Sequence, residues 1–194
     1  MTSAIDATKP IAGNPTTSSV RSNFTAAKSE IEALQNRNGW ADYQDTATTT
    51  TPISVSPSTW TKLTNNKLGA NTQSALPSGV TNLWNAVSNQ LVLTEIPLKS
   101  TLEARIEIAV TTTAANQVVR LRTRLAIGTI IEFSLESTQN QFKTAGAQNI
   151  VQSGSFYIGS DNVRLNPGEF QIWSDASATV VVNGWYIRVS KFIA

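Results

Sequence analysis

In LEARIEIAV, residues 102–110, every second side chain is apolar: Leu102, Ala104, Ile106, Ile108 and Val110 alternate with Glu103, Arg105 and Glu107. VVRLRTRLA, residues 118–126, repeats the pattern, with Val119, Leu121, Thr123 and Leu125 set between Arg120, Arg122 and Arg124. An extended chain sends successive side chains to opposite faces, so this alternation dictates strands with one buried and one wetted face. Further short strands are expected at Gln90–Leu93, Ile130–Leu135, Phe156–Ile158 and Phe170–Trp173. Eight or so strands separated by Gly, Pro and Asn turns predict an all-β sandwich or jelly roll.

Two connections follow from local chemistry. With a loop centred on Thr113-Ala114, the two alternating segments form a hairpin in which Glu107 opposes Arg120 and Glu103 opposes Arg124, so the arginine row is charge-paired. Arg120, Arg122 and Arg124 otherwise read as an anion or glycan contact. In TVVVNGWYIRV, Asn183-Gly184 is the signal for a type I′ hairpin, which pairs Val182 with Trp185 and Val180 with Ile187.

Ahead of these strands stands one segment of a different period. In TTSSVRSNFTAAKSEIEALQ, residues 16–35, Val20, Phe24, Ala27, Ile31 and Leu34 recur at four, three, four and three. That spacing predicts an amphipathic helix with an apolar stripe. Thr16 or Thr17 serves as N-cap, Lys28 and Glu32 form an i,i+4 pair, and Gly39 is a left-handed C-terminal residue. About 19 helical residues span roughly 28 Å. The stripe has three readings: a cover for the β core, a coiled-coil seam joining copies, or a foot docking into a groove on another protein. About three heptads of seam are marginal alone, so copies would also have to touch through the β domain. The organisation expected is an extended arm at 1–15, the helix at 16–38, a linker and first edge segment at 39–58, and a jelly-roll domain at 59–194.

Composition narrows the chemistry. Charged residues are 14% of the 194, against roughly 25% in an average soluble chain, and the net charge of +2 gives no electrostatic footprint for nucleic acid. Histidine and cysteine are absent, which removes Ser-His-Asp, Cys-His and HExxH chemistry and thiolate metal sites. Asp161, Glu169 and Asp175 lie in or near the loops of the second half, with no spacing that makes them a glycosidase pair. Ser160-Asp161-Asn162 clusters oxygen ligands but lacks a calcium-loop spacing. The expectation is a non-enzyme with no cofactor and no metal. Trp60, Trp84, Trp173 and Trp185 read as core rather than sugar-stacking residues. There is no signal peptide and no apolar run near the ~20 residues that cross a bilayer, so a soluble product made in the cytoplasm, without membrane or nucleic-acid partners, is expected.

KPIAGNPTTSSVRSNFTAAKSEIEALQ, residues 9–35, resembles an N-terminal segment of tailed-bacteriophage virion proteins, in which a Lys-Pro, a short turn and a helix of this pattern precede variable domains. TPISVSPSTWTKLTNN, GVTNLWN, VTTTAANQVVRLRTRLAIG and SDASATVVVNGWYIRV resemble recurrent stretches of a phage-associated β module. The resemblance implies a trimeric jelly-roll virion component, of a kind found among both decoration proteins and fibres. The expected role is capsid decoration on the virion surface, with the major capsid protein as partner. The alternative is a short tail fibre contacting tail proteins and host surface glycan.

Overall fold

The structure, a computed structural model, describes residues 4–5, 16–35, 37–136 and 139–192. Most of the arm expected at 1–15 lies outside the described residues. The helix α1 (Thr17–Gln35) is followed by β1 (Asn38–Gln44), α2 (Ala47–Thr50), β2 (Ile53–Val55), β3 (Thr61–Lys62), β4 (Asn71–Thr72), β5 (Trp84–Asn85) and β6 (Gln90–Leu91). The second half holds β7 (Thr101–Thr112), β8 (Gln117–Leu125), β9 (Phe133–Glu136), β10 (Asn140–Phe142), β11 (Gly146–Tyr157), α3 (Asp161–Leu165), β12 (Glu169–Ser174) and β13 (Ala178–Ser190). The chain is mainly β, as its alternation requires. No helix among the described residues is long and apolar enough to cross a membrane.

Two antiparallel sheets face each other. The first runs β11-β7-β13-β1-β4, with β2 also on β13; the second runs β10-β8-β12-β3, with β9 also on β8. β5 and β6 form a separate two-stranded ribbon. Leu102, Ala104, Ile106, Ile108 and Val110 of β7 and Val119, Leu121 and Leu125 of β8 are buried between the sheets, together with Phe170, Ile172, Val180, Val182, Trp185, Ile187 and Val189. Trp185 lies 5.4 Å from Trp84 and 5.0 Å from Phe170, centroid to centroid, so three aromatic rings form the middle of the core. Trp84 also donates its indole N–H to the Asn65 carbonyl at 2.9 Å.

Three expectations from local chemistry are corrected here. β7 and β8 are not a hairpin: β7 pairs with β11 and β13, β8 with β9, β10 and β12, and residues 113–116 turn a corner from one sheet to the other. Gln117, buried at that corner, fixes it. Its carbonyl oxygen accepts the Thr113 and Ala114 N–H groups, and its amide donates to Ser174 Oγ at 2.8 Å and to the Ala176 and Ser177 carbonyls. A hairpin would have stacked both apolar faces on one sheet with nothing opposite; crossing over lets each bury the other.

Nor is Asn183-Gly184 a turn. β13 runs unbroken from Ala178 to Ser190 with a register shift between Val182 and Gly184 against β7. Neither residue adopts the positive φ that a type I′ turn needs. The shift is a β-bulge, and it changes the phase of the alternation, so that Ala178, Val180 and Val182 before it and Trp185, Ile187 and Val189 after it all face the core. Gly184 is required for close approach: a Cβ there would lie 2.6 Å from the Tyr43 carbonyl oxygen of β1.

Finally, residues 38–55, expected as the helix end, linker and first edge segment, supply β1 and β2. β1 is an interior strand, paired with β13 along seven residues and with β4 on its other side. Gly39 lies within it without positive φ. Its missing side chain makes room for the 75–77 segment, since a Cβ would stand 2.3 Å from the Ala75 carbonyl oxygen and 2.6 Å from Pro77 N.

Candidate functional site

α1 begins where the sequence places it. Thr16 is the N-cap, its Oγ1 accepting the Ser19 N–H at 3.3 Å, and Lys28 Nζ sits 3.7 Å from Glu32 Oε1. The stripe is left in the open. Phe24 is 72% exposed and Ile31 and Leu34 are each 53% exposed, while Val20 and Ala27 are half-buried. The sandwich core is assembled without these side chains. Just ahead of β1, the Arg37 carbonyl accepts the Lys191 N–H at 2.9 Å, tying this end of β1 to the end of β13.

The second exposed feature is the outer face of the second sheet. Arg120, Arg122 and Arg124 alternate outward from β8, as expected, but their partners are not those of a β7–β8 hairpin. Arg120 pairs with Glu136 of β9. Arg124 Nε donates to Glu132 at 2.7 Å and its Nη1 to Glu169 of β12 at 3.2 Å, and Lys62 of β3 completes the Glu169 pair at 3.0 Å. The hydrogen bond from Arg124, with the Gly128 N–H, holds the Glu132 carboxyl below its usual range, and the same bond raises the Arg124 guanidinium. Glu103 and Glu107 lie on the other sheet, where Glu107 meets Arg105.

Two of the four tryptophans singled out, Trp84 and Trp185, are core. Trp60 and Trp173 are half-buried and bracket the arginines. The Arg120 guanidinium lies 5.2 Å from the Trp173 centroid and 5.5 Å from that of Trp60, and Arg122 lies 4.1 Å from Trp60. Sequence reasoning missed this cluster because Trp60 sits just before β3, with four strands between it and β8 in the chain, and only the order β8-β12-β3 brings them together.

The acids considered for chemistry each have a structural partner. Asp161 pairs with Arg164 at 2.9 Å at the start of α3. Asp175 Oδ1 accepts the Val118 N–H at 2.9 Å. Glu169 is buried between Lys62 and Arg124 and accepts the Gln171 amide at 2.6 Å. Among the described residues no group of three acidic side chains is placed to hold a metal.

These features define an antiparallel β-sandwich with an uncovered amphipathic helix at its front. No family model matches the chain, and no curated protein matches it. Among solved structures it is similar to the PRD1 vertex protein P5, at 18% identity over 80% of this chain and 96% of that one, with a TM-score of 0.41. It is similar to Eiger TNF from S. frugiperda at 7% identity, covering 81% of this chain and 95% of that one, TM-score 0.41. A third likeness is to infectious bursal disease virus, Gx strain, at 11% identity over 72% of this chain and 31% of that one, TM-score 0.35.

Proposed function

We propose that this chain is a non-enzymatic structural protein of a tailed-phage virion, a capsid decoration protein that attaches through α1 and displays its sandwich as a trimeric knob. The observation that carries this reading is the stripe itself. Phe24, Ile31 and Leu34 stand exposed on a helix whose own sandwich does not need them, and a contiguous apolar face left in the open marks an interaction surface. α1 ends at Gln35 and β1 begins at Asn38, so the stripe lies within the ~28 Å length of the helix from the knob. That suits clamping neighbouring coat subunits, with avidity from three linked feet. The resemblance of residues 9–35 to attachment segments points the same way.

Trimer contacts are best sought at the edge of the first sheet. β11 is a twelve-residue edge strand with no charged residue and no proline, and Val151 on it is 63% exposed. Beside it, Ala104, Ile106, Leu135, Ile150 and Phe156 line a cleft of about 350 Å³ between the sheets. Unprotected edges of this length invite pairing or aggregation, and covering by a neighbouring copy removes the hazard.

Densitometry of purified virions tests the role. A decoration protein runs at a level comparable to the coat protein; a band of only a few copies per particle overturns the proposal. That second result would favour a short tail fibre contacting host glycan, a reading to which the Trp60–Arg120–Trp173 cluster lends support.

A further inference from the structure

The outer face of the second sheet carries four cations, Lys62, Arg120, Arg122 and Arg124, against three carboxylates, Glu132, Glu136 and Glu169. Each carboxylate is engaged by Lys62, Arg120 or Arg124. Among the described residues no carboxylate lies within ion-pair distance of Arg122, so the residual positive charge of this face is centred there. Arg122 is held in place nonetheless. Its Nε donates to Gln171 Oε1 at 2.7 Å, its guanidinium lies 4.1 Å from the centroid of Trp60, and Gln171 is itself buried and locked to Glu169. That leaves the two terminal nitrogens of a planar fork oriented and without a hydrogen-bond acceptor among the described residues. Desolvation lowers the pKa of this guanidinium from its ordinary value, although the nearby charges of Glu136, Glu132 and Glu169 act in the opposite direction.

A desolvated guanidinium with an ordered free edge favours a carboxylate, which it grips through two parallel hydrogen bonds. The half-buried indoles of Trp60 and Trp173, whose centroids lie 5.5 Å and 5.2 Å from the Arg120 guanidinium, add flat apolar surface beside that edge, the kind of surface on which the C–H face of a pyranose packs. We propose that this face binds a carboxylated saccharide, a uronic-acid type of glycan, with the sugar carboxylate on Arg122 and the sugar ring against the Trp173 side of the cluster. The inference goes beyond the attachment role and holds for a knob on the capsid or on the tail; densitometry tests the location and the following titration tests the ligand.

The full chain is titrated with tetragalacturonate, with neutral cellotetraose and with hexaglutamate, following tryptophan fluorescence and heat. Tetragalacturonate is expected to bind saturably at millimolar concentration or below, while the other two leave the signal unchanged. Arg122→Gln should weaken binding about tenfold or more, the usual scale for a hydrogen bond to a charged group. Trp173→Ala should weaken it while leaving thermal unfolding of the core in place. Absence of a saturable response of the unaltered protein to tetragalacturonate overturns the proposal, whatever the variants do. An equal response to cellotetraose shows that the carboxylate is not recognised, and an equal response to hexaglutamate shows a general polyanion or acidic-peptide surface; either result also overturns it. So does an Arg122→Gln protein that binds as tightly as the parent.

Discussion

Replacing Phe24 and Ile31 together by Asp tests what α1 does, and the structure sets the size of the effect. Full burial of a Phe or Ile side chain is worth about 1.5–3 kcal/mol. Phe24 still exposes 72% of its surface and Ile31 53%, so docking would recover about 2 kcal/mol from the first and about 1 kcal/mol from the second. Losing some 3 kcal/mol weakens each foot by roughly a hundredfold, at about 1.4 kcal/mol per decade. Two carboxylates forced into an apolar groove without partners cost several kcal/mol more, and three linked feet compound the loss. Virion binding should therefore fall below detection. The knob should not notice, because substitutions at exposed positions stay within about 0.5 kcal/mol. The assay is thermal unfolding of the purified variant, followed by mixing with particles stripped of the protein and sedimenting them. A variant that still sediments with particles refutes the attachment reading. One that melts markedly lower shows instead that the stripe supports the sandwich.

The trimer is checked by sedimentation equilibrium on the 20.9 kDa chain. Deleting residues 1–36 should leave it intact, whereas Val151→Lys on the β11 edge should dissociate it; a monomeric parent at micromolar concentration ends the idea. Gly39→Ala should cost about 1–3 kcal/mol in urea unfolding, the range for overpacking, because the new Cβ meets backbone atoms of Ala75 and Pro77 that have little room to move. An unchanged midpoint would contradict the close approach. Tyr43 lies in the core with its phenol pKa raised by burial to about 12. The unfolded chain ionises near 10, so the folded form retains its proton longer, and stability should be intact below pH ~10 and fall by on the order of 2 kcal/mol as pH rises towards 12. Tyr43→Phe should lose that alkaline slope, while also costing the hydrogen bond that Leu83 N–H donates to the phenol oxygen at 2.9 Å. A slope equal to the parent's would assign the loss to other groups.

The sequence by itself determined where α1 lies and which side of β7 and of β8 faces the core. α1 spans Thr17–Gln35 because its period, cap and residue types are local, and β7 and β8 bury the residues their alternation marks, because the pleat of an extended chain is local too. The tertiary structure alone decided who pairs with whom. A two-residue turn and a one-residue bulge at Asn183-Gly184 both put Val182 and Trp185 on the same apolar side, so the pattern could not choose between them. The choice fell to β7, which flanks β13 along its whole length, and to β2 and β1, which flank its first and second halves on the other side, so that its backbone hydrogen bonds are satisfied as one continuous strand. For the same reason the arginine row was legible while its partners were not. Glu132, Glu136 and Glu169 reach β8 through the sheet order, which is fixed by burying two apolar faces against each other and leaves no trace in the short-range spacing of charges. Trp60 and Trp173 look like any other tryptophans until β3 and β12 lie side by side with β8. The fate of the stripe was also hidden, since periodicity gives its direction on the helix, while only the packed sandwich, complete without it, leaves it facing solvent.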